Sequence, residues 1–193
     1  MAGWSNQSGI GVVNQDWPEG VSLFVFSKQS QKGDIDHQPE IFSLSPLIHT
    51  NINLHKIAAE HKGVQITSGV SGELFAYGDR EMISTVLRNL INNAVKYSHK
   101  GGLVEVNVAD KGDKLEVMVS DQGIGMSGEN AEKLFRIEAK YKSPGTMGEK
   151  GTGLGLILCK DFVEKNIGQI WCESQEGSGS TFHFTIPATA DLL

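Results

Sequence analysis

Apolar and polar positions change their period several times along this chain, and each change marks a predicted element. The stretch SPLIHTNINLHKIAAEHKG predicts a helix from Pro46 to about Lys62, with Ser45 as its cap, Pro46 at the first position and Gly63 as its stop. The strongest helical period lies in DREMISTVLRNLINNAVKYS. At about 100° per residue, Ile83, Leu87, Leu90, Ile91 and Ala94 form an apolar arc, while Asn89, Asn93, Lys96 and Tyr97 gather beside it. Asp79 is placed to cap this helix, although Met82 stands where a capping-box Glu would complete the signal.

Other stretches alternate with period two. VQITSGV and GELFAYG predict short strands, and LVEVNVAD and KLEVMVSD predict a hairpin across Lys111-Gly112-Asp113. QIWCES and GSTFHFTIP predict two more strands, with the apolar segment ILCKDFVEK before them. Helices on one side and an antiparallel or mixed sheet on the other predict a two-layer α/β sandwich. Residues 1–20 are rich in Gly, Ser, Asn and Gln without a period and read as a tail. Residues 21–40 predict a short helix ending near Lys32, with Gly33 as its stop and Pro39 beyond.

Composition narrows the function classes. A chain of 193 residues with 39% hydrophobic and 21% charged residues is expected to fold as one domain with extra N-terminal residues. A formal charge of −6 opposes nucleic acid as a partner, because phosphate-backbone binding needs clustered Lys and Arg. No apolar run approaches the roughly 18 residues that span a bilayer. The expectation is therefore a soluble chain without membrane contact, in a reducing cytosol. Cys159 and Cys172 lack any paired or metal-ligand spacing and read as reduced core thiols. His49, His55 and His61 recur every six residues, which scatters them around a helix and argues against a shared metal.

Three segments carry candidate chemistry. Asn89, Asn92 and Asn93 stand inside a helix although Asn is a mediocre helix former, which fits either a solvated face or amide oxygens held for a Mg²⁺ that bridges polyphosphate. In VSDQGIGM, Asp121 ends a strand and Gly123 and Gly125 follow. This fits an ordinary turn, or a carboxylate that pairs with the exocyclic amine of adenine. The stretch GEKGTGLGL holds four glycines in nine residues. Its glycine spacing is not that of a dinucleotide fingerprint, and no Gly-Lys dipeptide occurs for a Walker loop. What remains is a glycine-rich entry to a helix whose free N–H groups favour anions.

Taken together, Asn89-Leu-Ile-Asn-Asn-Ala-Val-Lys-Tyr-Ser98, Asp121-Gln-Gly-Ile-Gly-Met126, Leu134-Phe135 and Gly151-Thr-Gly-Leu-Gly-Leu156 resemble, in order and spacing, the N, G1, F and G2 boxes of the histidine-kinase ATP-binding domain. The wider superfamily includes gyrase, MutL and heat-shock chaperone ATPases. The resemblance covers about residues 45–187, within a catalytic domain placed at 41–190. It implies a Bergerat-type α/β sandwich, a mixed sheet covered on one face by helices, with ATP and Mg²⁺ as ligands.

Roles carry over by the same resemblance. Asn93 resembles the Mg²⁺ ligand with Asn89 in support, Lys96 the phosphate-contacting lysine, and Tyr97 the aromatic residue along the adenine. Asp121 matches the adenine-reading aspartate, assisted through water by Thr181. Gly151, Thr152, Gly153, Leu154 and Gly155 are expected to line the phosphates, and Phe135 to anchor one end of a lid running through RIEAKYKSPGTMGEKG. Lys140, with Lys142 as its rival, falls where many relatives carry an Arg for the γ-phosphate. A lysine there offers a point charge without the guanidinium fork.

The hydrolytic members carry Glu where this chain has Asn89, and an amide cannot take a proton from water at neutral pH. The resemblance therefore implies phosphoryl transfer to a protein side chain. No histidine here sits in an acceptor-like box, since His37 precedes Gln38-Pro39 and His49 precedes Thr50-Asn51. The chain reads as a catalytic fragment, with residues 21–40 resembling the end of a dimerisation helix and its linker. It is expected to bind ATP without phosphorylating itself. The expected partners are a histidine-containing dimerisation domain and, downstream, a response regulator. The alternative is an anti-sigma-type Ser/Thr kinase or a nucleotide-dependent binding module, against which the GTGLGL form and the long lid argue.

Overall fold

The computed structural model describes residues 36–135, 145–149 and 153–188. Readings of residues 1–35 fall outside that range. A five-stranded mixed sheet carries the helices on one face. Its strands are β2 (Gln65–Ser68), β4 (Leu103–Asp110), β5 (Lys114–Asp121), β6 (Ile170–Gln175) and β7 (Gly179–Pro187), in the spatial order β2-β4-β5-β7-β6. β2 runs parallel to β4 and the other pairs are antiparallel. A separate two-stranded ribbon pairs β1 (Glu40–Ser43) with β3 (Phe75–Gly78).

Strand alternation sorts the sheet into two faces. Val104 and Val106 of β4, Leu115, Val117 and Val119 of β5, and Phe182, Phe184 and Ile186 of β7 are buried toward the helices. Their neighbours point the other way. On that outer face Trp171 stacks on His183 with ring centroids 4.8 Å apart. His183 Nδ1 lies 2.8 Å from Glu116 Oε1.

Three helices cover the inner face: α1 (Leu44–Lys62), α2 (Arg80–Tyr97) and α4 (Gly155–Lys165). A short helix, α3 (Gly128–Lys133), packs near β6. The predicted arc of α2 is the centre of the core, with Ile83, Leu87, Leu90, Ile91 and Ala94 all fully buried. Asp79 caps α2 by accepting from the N–H groups of Glu81 and Met82. Gly63 ends α1 in the left-handed region at φ 72°, where glycine has no Cβ to clash.

The start of α1 differs from the sequence reading. The helix begins at Leu44, with Ser43 as a cap that makes no side-chain bond. β1 runs straight into the helix, and the Leu44 N–H is already taken by Leu74 O at 2.8 Å. Ser45 Oγ donates instead to Gly72 O at 2.8 Å. Pro46 thereby falls at the third position, where its missing N–H still costs no helical bond. β1 and α3 have no counterpart in the sequence reading. Four and six residues are too short to show a period, and only Phe42 of β1 and Ala131 of α3 are buried.

Two buried amides tie the helices together. Asn51 Nδ2 donates to Leu47 O at 2.9 Å and to Ser84 Oγ at 3.1 Å, joining α1 to α2. Asn166 accepts from the Asp79 N–H at 2.6 Å and donates to Phe162 O at 2.7 Å. The end of α4 is thus fixed to the start of α2.

Candidate nucleotide-binding site

Next to its fully buried arc, α2 carries Asn89, Asn93, Lys96 and Tyr97, all half-buried. They are neither exposed, as a solvated face would leave them, nor buried, as a core would make them. Asn89 Nδ2 donates back to Thr85 O at 2.8 Å. Its other side-chain atom, Oδ1, faces Gly155, where an added Cβ would lie only 3.0 Å away. Asn89 therefore abuts the first residue of α4, and only a residue without a side chain leaves that approach open. The N-cap residue of α4, Leu154, makes no side-chain cap bond. Backbone N–H groups at such a helix start suit an anion. Lys96 Nζ lies 4.9 Å from the centroid of the Tyr97 ring.

Asp121 ends β5. It is 7% exposed, and its carboxylate accepts the Gly123 N–H at 2.9 Å. Burial pushes its carboxyl up to about 6, against the opposing effect of the Gly123 and Ser180 N–H groups. The glycines after it serve the protein's own backbone. A Cβ on Gly123 would come within 2.1 Å of Tyr97 O, and one on Gly125, at φ 59°, within 1.9 Å of Gln175 O. Gly123 pairs with Ser98 in a bridge, and the Ile124 N–H donates to Tyr97 O at 3.2 Å. This fastening brings the Asp121 loop to the end of α2 that carries Lys96 and Tyr97.

Thr181 is placed differently from the expectation. It pairs with Ser120 across the ladder, and its hydroxyl lies 3.0 Å from Ser120 Oγ on the outer face, opposite Asp121. Its neighbour Ser180 is the residue in register with Asp121, buried beside it. Counting alternate positions back from Phe182 and Phe184 would have found it, since inward residues of β7 share one parity. A depression of about 340 Å³ borders Asp121, Ser174, Gln175 and Ser180, and Thr181 also contributes to its lining.

Phe135 is half-buried just past α3, while Gly153, at φ 74°, and Leu154 are exposed immediately before α4. Lys140, Lys142, Gly151 and Thr152 lie outside the described residues. The structure adds residues that the motifs did not point to. A turn over residues 145–149 docks on the end of α2, where the Thr146 N–H donates to Lys96 O at 3.2 Å and Thr146 Oγ1 donates to Ser98 O at 2.7 Å. Lys62, from the end of α1, reaches Lys96 O and Glu149 Oε1, the latter at 2.7 Å. No sequence signal links residues 87 positions apart. Cys159 is buried and Cys172 half-buried, both as free thiols.

Residues 78–190 match the family model described as histidine kinase-, DNA gyrase B-, and HSP90-like ATPase. The adaptive-response sensory kinase SasA of Crocosphaera subtropica is 35% identical over 153 residues, which cover 78% of this chain and 39% of that protein. The sensor-like histidine kinase SenX3 of Mycobacterium bovis is 32% identical over 142 residues, covering 74% of this chain and 35% of that protein. The catalytic domain of the histidine kinase ThkA, solved free of nucleotide, superposes with a TM-score of 0.66 at 28% identity, over 78% of this chain and 97% of that domain. The chain thus spans little more than a third of the curated relatives' length.

Proposed function

The chain belongs to the histidine kinase-, DNA gyrase B- and HSP90-like ATPase family, and from that premise we propose that it binds Mg-ATP and donates the γ-phosphoryl group to a histidine on a separate dimerisation domain. The observation that carries this reading is the convergence of Asn89, set against the start of α4, with a buried Asp121 carboxylate fastened beside Tyr97. One end of that arrangement suits polyphosphate and the other suits an amine-bearing base.

The residues fit the ligand. Asp121, which when ionised can only accept, would take the exocyclic amine of adenine, and a base with a carbonyl there would leave it unpaired. Ser180 would support it in the place first expected for Thr181, and Tyr97 would lie along the base. Asn93, with Asn89, would hold Mg²⁺ through amide oxygens; the ion would neutralise phosphate charge when bound. Lys96 and the N–H groups opening α4 would hold the phosphates, with Gly151, Thr152 and one of Lys140 or Lys142 completing their surroundings. In the transfer, an imidazole nitrogen bonds to the γ-phosphorus while its bond to the bridging oxygen breaks and ADP leaves. The chain's own contribution is alignment and charge neutralisation.

Asn89 cannot serve as a base toward water, which favours transfer over hydrolysis. The names of SasA and SenX3 support a sensory kinase as the longer protein. ThkA has been solved in complex with the response regulator TrrA, which supports a response regulator as the downstream partner. Calorimetry should show micromolar-range binding of Mg-ATP and far weaker binding of Mg-GTP, and an added dimerisation domain should acquire acid-labile phosphate. Absence of adenine-nucleotide binding would refute the reading, as would acid-stable phosphate on the acceptor, or Asn93→Asp leaving both binding and transfer unchanged.

A further inference from the structure

The ammonium of Lys62 is the point where three separate segments meet. Lys62 is 7% exposed although lysine is seldom buried. Its Nζ donates to Lys96 O, at the end of α2, and to Glu149 Oε1 at 2.7 Å. Glu149 also accepts the Met147 N–H through Oε2 at 2.8 Å. Gly145 completes the seat, since an added Cβ would lie 2.3 Å from Glu149 Oε2 and 2.7 Å from Lys96 Cγ. Four amides of the turn are held as a result: Gly145 by Glu149 O, Thr146 by Lys96 O, Met147 by the Glu149 carboxylate and Gly148 by Gly145 O.

A buried ammonium needs partners, and here they are a carboxylate and the carbonyl end of a helix, which both favour positive charge. The cluster also reaches the proposed base site. Burial raises the Tyr97 phenol above its usual range, and the charge of Glu149 raises it further. Burial opposes ionisation of Glu149 itself, but the hydrogen bonds from Lys62 and from the backbone outweigh it and hold the carboxyl low.

We propose that Lys62 and Glu149 are positioning residues for nucleotide binding: a latch that holds the 145–149 turn against the last turn of α2 and so sets Lys96 and Tyr97 in place. Neither residue touches the nucleotide in this reading, which rests on the function proposed above. The latch accounts for a lysine that would otherwise be a buried charge far from any motif, and for a glutamate placed just before the glycine-rich segment.

Amide hydrogen exchange on the nucleotide-free chain tests the latch by itself, and calorimetry with Mg-ATP tests its consequence. Glu149→Gln keeps the side chain's size and is expected to speed exchange at Thr146, Met147 and Gly148 by about tenfold or more, and to weaken Mg-ATP binding by roughly three- to tenfold. Lys62→Met is expected to do the same, and the double variant to cost less than the sum of the two single ones, because both remove the shared Lys62–Glu149 pair. Gly145→Ala, which removes no charge but crowds the Glu149 carboxylate, should loosen the same amides. Unchanged exchange of the turn in Glu149→Gln and Gly145→Ala would overturn the proposal, as would strictly additive effects on binding. A loosened turn with unaltered affinity would overturn the positioning role. A wild-type chain that bound no Mg-ATP would instead sink the parent reading and that role with it, leaving turn exchange to report on the latch.

Discussion

A carboxyl group titrating near 6 makes Asp121 a liability to the fold at neutral pH and an asset to the proposed site. Its folded value, about 6, lies above the ordinary aspartate value of 3.8, so the folded chain binds more protons than the unfolded one between these values. Stability tied to this group is therefore fully present below about pH 4 and is lost as pH rises through 6. Asp121→Asn removes the titration. Its unfolding free energy relative to wild type is expected to improve by roughly 2–3 kcal/mol between about pH 4 and pH 7.5, measured by chemical denaturation. The same variant should abolish discrimination for adenine. In the wild-type chain, nucleotide affinity should fall as pH drops below about 6, because the neutral carboxyl is a weaker acceptor for the amine than the carboxylate. Asp121 was legible as a site residue because its glycine-flanked place at a strand end is visible in the sequence. The residue in register with it is Ser180 and not the expected Thr181, since a serine and a threonine in succession look alike until strand parity separates them.

At the scale of elements, the structure gives the glycines of the Asp121 loop a different reason from the one their pattern suggests. Gly123 admits the carbonyl of Tyr97, and Gly125 admits that of Gln175. Gly123→Ala must push the loop off the end of α2, at an expected cost of about 1–3 kcal/mol together with a loss of nucleotide affinity. Gly112→Ala is the contrast. At φ 91° with nothing within 4 Å of an added Cβ, it strains only the hairpin turn and should leave binding unchanged. Denaturation and calorimetry on both variants separate the two outcomes. The long elements were readable because α2 repeats its apolar arc over more than three turns and the β4–β5 hairpin alternates over eight residues on each side. The short ones were not, and neither was the latch. Lys62, Glu149 and Thr146 meet only because three elements end at the same place, and local sequence carries no record of that.

At the scale of the whole described fold, β3 is bounded on one side by β1 and on the other by the end of the chain's last strand. Phe42 pairs with Ala76, and Ala76 bridges Ala188. From strand spacing and rise, Glu40 and Ala188 lie about 12 Å apart. The entry and exit of the folded unit are therefore neighbours, a geometry that tolerates circular permutation. Joining the two through a short flexible linker and reopening the chain at Gly112, exposed and with nothing within 4 Å of an added Cβ, should preserve both cooperative unfolding and nucleotide affinity. Loss of either would show that the β1–β3 ribbon requires a free end. Force applied at both ends at once would therefore fall on the β1–β3 ribbon and on the Pro187 end of β7, whereas Asp121 pairs with Ser180 at the other end of that strand.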